Sequence, residues 1–156
     1  MHPIIGAGLL CGTMDITAAL TVYGGMGLRP MRLLQGISSG LLGPSAFQGG
    51  VPTAALGLLC HYVIAFGAAT VFYLASRRLR FLTEHAVTAG VIYAVVVYFF
   101  MQNVVLPLSR AAHRPFVLRG MLIGIAIHIV CVGLPISLAV RKLSQPVGPE
   151  GGLAVR

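Results

Sequence analysis

The sequence predicts an all-α integral membrane protein, a four-helix bundle with a short interfacial or re-entrant helix after its first span. Three observations predict it. The chain of 156 residues is 57% hydrophobic and 9% charged, with a mean hydropathy of +0.92, whereas soluble domains carry roughly 25% charged residues. Four apolar segments each approach the ~20 residues that a helix needs to cross a ~30 Å hydrocarbon core. The basic residues fall between those segments, as Arg29 and Arg32, then Arg77, Arg78 and Arg80, then Arg110, Arg114 and Arg119, then Arg141 and Lys142. A net charge of +8 can indicate nucleic acid, but these residues form no single patch. They stand where cations meet lipid headgroups, so the implied partner is the bilayer and not nucleic acid.

Span one is expected from about Pro3 to Tyr23, ending at Gly24-Gly25. The connection after it, through Val51, is too long for a plain turn. Pro30 can start a helix in it and Gly43-Pro44 can stop one. Over residues 30–43, Leu33, Leu34, Ile37 and Leu41 recur at helical spacing while Arg32, Gln35 and Ser39 fall on another face. Such a helix is too short to span, so it lies in the interface, where Arg29 and Arg32 reach the headgroups, or dips in as a re-entrant segment. Span two is expected from about Pro52 to Ala75, stopping at Arg77-Arg78. Span three covers about Ala86 to Leu106 and breaks at Pro107, and span four covers about Leu118 to Val140, stopping at Arg141-Lys142. Residues 1–143 read as one membrane domain. The stretch from Ser144 to Arg156, with two prolines and three glycines, reads as a disordered tail.

Four crossings put both termini on one side. The termini and the loop after span two carry six Arg and Lys residues and the other two loops carry five. By the positive-inside rule the termini are cytoplasmic, though so even a balance also permits insertion in both orientations. The first span lacks a preceding Lys or Arg and outruns a signal-peptide core of roughly 7–15 residues, so it is expected to remain as a helix. Cys11, Cys60 and Cys131 lie in three different spans, which gives no disulfide framework and suits small packing residues.

Asp15 is the one charged residue between Met1 and Leu28. An ionised carboxylate in hydrocarbon is costly, so such a residue faces a bundle interior and marks a candidate site. Gly8, Gly12, Asp15 and Ala19 share one stripe of span one. Ala54, Gly57, His61, Ala65 and Ala68 make a similar stripe in span two, and Gly120, Gly124 and His128 follow at intervals of four in span four. Small residues are what membrane helices use at close approaches, so Gly8, Gly12, Gly57, Gly120 and Gly124 are the expected packing glycines. Asp15, His61 and His128 each lie about 18–21 Å from the terminal-side end of their span, at 1.5 Å per residue. A packed bundle brings them together near mid-membrane, with Gln102 and Asn103 nearer the opposite face. Pro135 adds an expected kink that frees the carbonyl of Cys131.

Several roles fit this cluster. It can fix helix register, with Asp15 bonded to His128 or Gln102. It can bind and release a proton, cation or small solute, since loss of water disfavours the charged forms of both carboxylate and imidazole. His61 and His128 can serve as axial ligands of a haem in a membrane redox protein. Cys11, Asp15, His128 and Cys131 form the weakest set, as ligands of a soft metal. A structural or assembly role, with a homo-oligomer or another membrane partner, stays open. His2, His85 and His113 sit at span boundaries, and no nucleophile–base arrangement or phosphate loop points to an enzyme.

The stretches GTMDI at 12–16, QGISSGLLGPSAFQGG at 35–50, LGLLCHYVIAF at 56–66, VLPLS at 105–109 and IHIVCVGLP at 127–135 resemble those of a group of small uncharacterised bacterial inner-membrane proteins. They touch every span. The resemblance implies a four-span protein of the bacterial cytoplasmic membrane and assigns no active residue.

Overall fold

A computed structural model describes residues 2–112 and 117–144. The expected tail from residue 145 onward and the boundary residue His113 lie outside the described residues. The described chain is helical, with four helices long and apolar enough to cross a membrane. We label them α1 (Pro3–Gly25), α3 (Gly50–Ser76), α5 (Ala86–Leu108) and α6 (Leu118–Ser144). Between them lie α2 (Pro30–Leu42) and the short α4 (Phe81–Glu84). Four such helices make this a multi-pass membrane protein.

The ends of the helices differ from expectation for local reasons. Gly24 and Gly25 remain inside α1, and the turn falls on Gly27, whose φ of +88° is the left-handed conformation that glycine adopts without strain. Gly27 N–H then bonds the Gly24 carbonyl and Leu28 N–H the Tyr23 carbonyl, the paired closure that satisfies orphan carbonyls at a helix end. α3 begins at Gly50, two residues before Pro52, because a proline's missing N–H costs nothing in a first turn. α6 runs past Arg141 and Lys142 to Ser144. Cations at a helix C-terminus favour its dipole and can reach headgroups on flexible stems, so they do not end it.

Prolines do not break the last two spans either. α5 continues through Pro107 to Leu108 and α6 through Pro135, and each carries one π-helical turn just before its proline, Met101–Val105 and Ile129–Gly133. In a regular helix the proline ring would strike the carbonyl four residues back, Asn103 or Cys131 here. The wider turn, with Leu106 N–H on the Met101 carbonyl and Leu134 N–H on that of Ile129, carries the helix past it. The expected break at Pro107 and kink at Pro135 are therefore met by π turns.

The buried core consists mostly of small side chains. Ala7, Cys11, Ala65, Ala69, Phe72, Ala89, Val132, Ile136 and Val140 form one cluster joining α1, α3, α5 and α6. Larger apolar side chains such as Val51, Val71 and Leu74 point outward, each more than half exposed. Small inside and large outside is the pattern of helices solvated by lipid. α5 and α6 approach closely where Gly90 and Gly133 bring their backbones together. A Cβ on Gly133 would collide with the Gly90 carbonyl, and one on Gly90 would lie 2.9 Å from the Gly133 carbonyl oxygen.

α2 buries polar side chains and lines a cavity with Leu33, Ile37 and Leu41. Its buried residues are Gln35, Ser38 and Ser39, while Met31, Leu41 and Leu42 are exposed. Gln35 Nε2 donates to the Gly50 carbonyl at 3.1 Å and to Thr53 Oγ1 at 3.3 Å, and the two serines bond carbonyls one turn back. Gly57 lets α3 approach so closely that a Cβ there would collide with the Leu34 carbonyl. The other end of α2 is tied to the end of α5 by Arg110 N–H, which donates to the Gly40 carbonyl at 2.9 Å.

Candidate functional site

The site grows from the α1–α3 interface. Gly8 lies under the ring of Phe66, and Gly12 lies under Tyr62, whose ring carbons would be 2.9 Å from a Cβ at Gly12. These two glycines are the expected small pair, and they let polar groups meet across the interface. Thr13 Oγ1 and Tyr62 Oη are 3.0 Å apart, and His61 Nε2 lies 2.8 Å from the carbonyl oxygen of Gly12. Thr17 and Thr21 return their hydroxyls to carbonyls four residues back, which satisfies them without a partner helix.

The bond from His61 fixes the chemistry of the ring. A carbonyl oxygen only accepts, so Nε2 carries hydrogen, and in neutral His61 the lone pair is on Nδ1. Nδ1 faces Asp15 Oδ2 at 3.9 Å, with the histidine and aspartate side chains 13% and 20% exposed. That distance is outside hydrogen-bond range, and a shift of about 1 Å would close it. With both groups deprotonated, a carboxylate would face a nitrogen lone pair. One proton, on either the carboxyl or Nδ1, turns the contact into an attractive one.

Asp15 and His61 open onto a cavity of about 940 Å³. α1 and α3 form its back, and α2 and the far half of α5 close two further sides. α3 and α5 converge near their connecting turn, where Tyr93 Oη donates to the Ala68 carbonyl at 2.7 Å and the rings of Phe72 and Tyr93 meet edge to face at 5.0 Å. Away from that turn the two helices part, and the cavity occupies the gap. Residues from both π turns line it, Met101, Gln102 and Val105 from one and Val132 from the other.

The structure thus places three members of the expected cluster, Asp15, His61 and Gln102, on one cavity. His128 and Asn103 are not among its lining residues. His128 Nδ1 donates to the carbonyl of Gly124 on its own helix at 2.9 Å, and its ring stands edge-on to Tyr98 at 5.4 Å. Asn103 is exposed and donates to the Phe99 carbonyl at 2.8 Å. An Asp15 bond to His128 or Gln102 is not formed among the described residues. No three His, Cys, Asp or Glu side chains among those residues converge as metal ligands would.

Of the expected packing glycines, Gly8, Gly12, Gly57 and Gly124 do meet a neighbouring helix, Gly124 beneath the ring of Tyr98. Gly120 does not. It is exposed, and the nearest atom to a Cβ there belongs to Val117 in its own segment. Sequence reasoning missed Gly90 and Gly133, although Ala86, Gly90 and Ala94 recur every four residues, as do Gly133 and Ser137. It also missed the Gly12 carbonyl as the group that orients His61, since a backbone acceptor leaves no mark in sequence. Comparisons with protein-family models, curated proteins and solved structures found no match to this chain.

Proposed function

We propose that this membrane protein binds and releases a proton at the Asp15–His61 pair, and that this exchange serves the passage or sensing of a cation or small solute. The observation that carries the reading is the pair itself. A carboxylate and an imidazole with its Nε2 already engaged face each other at 3.9 Å, midway along two apolar helices, beside a large cavity. A group that only fixed helix register would need no cavity and no unpaired ring nitrogen. Infrared spectra of the reconstituted protein over a range of pH test the reading. A protonated-carboxyl band should vanish in Asp15→Asn and change frequency in His61→Gln, because the partner of the carboxyl changes. A spectrum indifferent to both substitutions would overturn it.

The alternative of a haem between His61 and His128 draws no support from this geometry. The lone pair of His61 is turned to Asp15, and His128 stands away from the cavity. A purely structural role is favoured by no specific observation.

The orientation and depth of the chain belong to the same proposal. We place it in a bacterial cytoplasmic membrane with both termini cytoplasmic, on the six-to-five distribution of basic residues. The polar side chains that α2 buries, Gln35, Ser38 and Ser39, support re-entrant insertion among the other helices over an interfacial position. Reporter fusions after Arg78 should read cytoplasmic and those near Gly43 periplasmic. Opposite readings would invert the topology, and both readings at each site would indicate dual insertion.

A further inference from the structure

We propose that the cavity beside Asp15 takes an amphipathic organic monocation, one with an apolar body around a single positive charge, and that this cation displaces the proton held by Asp15 and His61. The inference rests on the proposed proton pair and names its counter-substrate.

Charge comes first. Asp15 is the one carboxylate on the cavity, and no Lys or Arg is among the lining residues. The other titratable groups there are His61, Cys11, Tyr23 and Cys60, and Cys131 lies on α6, which packs against α1. Among the described lining residues the unprotonated carboxylate therefore has no fixed cation to answer it. A charge in so apolar a setting is retained only when something compensates it, here the shared proton or a bound cation.

Size and lining choose the class of cation. A bare inorganic ion needs about six oxygen ligands, whereas among the described lining residues Asp15 is the one carboxylate. The walls are instead mostly apolar, with Ile16, Leu59, Ile64, Val97 and Met101 among them, and a volume of about 940 Å³ is that of a site for a drug-sized molecule. An apolar body with one positive charge matches both the walls and the single acid.

The exchange balances. Before binding, one proton lies between the carboxyl of Asp15 and Nδ1 of His61. When the cation enters, that proton leaves to water, Asp15 remains as carboxylate against the cation, and His61 stays neutral with Nε2–H on the Gly12 carbonyl. One positive charge enters and one leaves.

Tetraphenylphosphonium and its anionic counterpart of the same shape, tetraphenylborate, provide the test on the full chain in weakly buffered detergent. Tetraphenylphosphonium should bind with release of about one proton per cation, and tetraphenylborate should not bind. Asp15→Asn should weaken cation binding by about thirtyfold or more, as removing one member of a buried charge pair does, and should abolish proton release. Val97→Trp fills the cavity away from the pair. It should weaken the cation while leaving the pH-dependent carboxyl band intact, which excludes misfolding as the cause. If the carboxyl band behaves as expected for the pair but the phosphonium does not bind, or the borate binds equally well, the cation proposal fails and the proton pair stands. If the cation binds without proton release and survives Asp15→Asn, the exchange is wrong. If the band itself is absent, the underlying pair is wrong.

Discussion

His61 and His128 are the same residue type, each near the middle of an apolar helix and each bonded through one ring nitrogen to a backbone carbonyl, yet they occupy opposite kinds of surroundings. His61 reaches across to Gly12 on another helix at 2.8 Å, so its ring is held at the α1–α3 interface with its second nitrogen toward Asp15. His128 turns back to Gly124, four residues earlier on its own helix, and packs against Tyr98. The first bond couples two helices and leaves a ring nitrogen facing Asp15 beside a cavity. The second satisfies a polar ring locally and couples nothing. The same contrast divides the bundle: α1, α2 and α3 leave space between themselves and α5, whereas α5 and α6 close backbone to backbone at Gly90 and Gly133. A mid-span histidine is thus informative through the helix that supplies its acceptor, more than through its depth.

The closed half is where the largest loss of stability is expected. In Gly133→Leu the new side chain must displace the backbone of α5, because even a Cβ collides with the Gly90 carbonyl. Overpacking of this kind typically costs about 1–3 kcal/mol, and occasionally more. Gly120→Leu makes the same chemical change on the same helix at an exposed position, where about 0.5 kcal/mol or less is expected. Reversible unfolding in mixed micelles measures both. Equal losses would mean that α5 and α6 do not meet at Gly133.

The architecture was legible because hydropathy, span length and the placement of Arg and Lys are read directly from the chain. α2 was legible as a helix from Pro30 and Gly43, but its facing was not. Apolar periodicity in Leu33, Leu34, Ile37 and Leu41 looks like a core-facing stripe in water, whereas here the polar residues Gln35, Ser38 and Ser39 are the buried ones. Leu33, Ile37 and Leu41 of that stripe instead line the cavity, and a sequence stripe does not say whether it faces a packed core or a space. Half of the site was legible for a related reason. Helical spacing put Asp15 and His61 on packing faces, but it gave His128 an equal claim, since facing a neighbour and facing a cavity look identical in one dimension. The π turns before Pro107 and Pro135 also rotate the residues beyond them relative to a regular helix, so stripes drawn at constant spacing lose their phase there.

The smaller and more discriminating test compares the two histidines directly. Glutamine can donate an N–H to a carbonyl but does not titrate. His61→Gln should therefore keep the bond to Gly12 and much of the stability, within the ~0.6–2 kcal/mol of one interhelical hydrogen bond, while changing the pH range over which tetraphenylphosphonium binding releases a proton, because Asp15 then holds that proton without the ring nitrogen. His128→Gln should change stability by no more than about 0.5 kcal/mol and leave proton release as it is in the unaltered protein. Calorimetric unfolding and proton counting on the same samples separate the two quantities. A structural role for His61 alone would move stability without touching the pH range of proton release. If His128→Gln changed that range and His61→Gln did not, the exchange site would lie in the closed half, and the distinction drawn from Gly12 and Gly124 as acceptors would be wrong. If both changed it, the two histidines would act as one chain of proton carriers in spite of their separate surroundings.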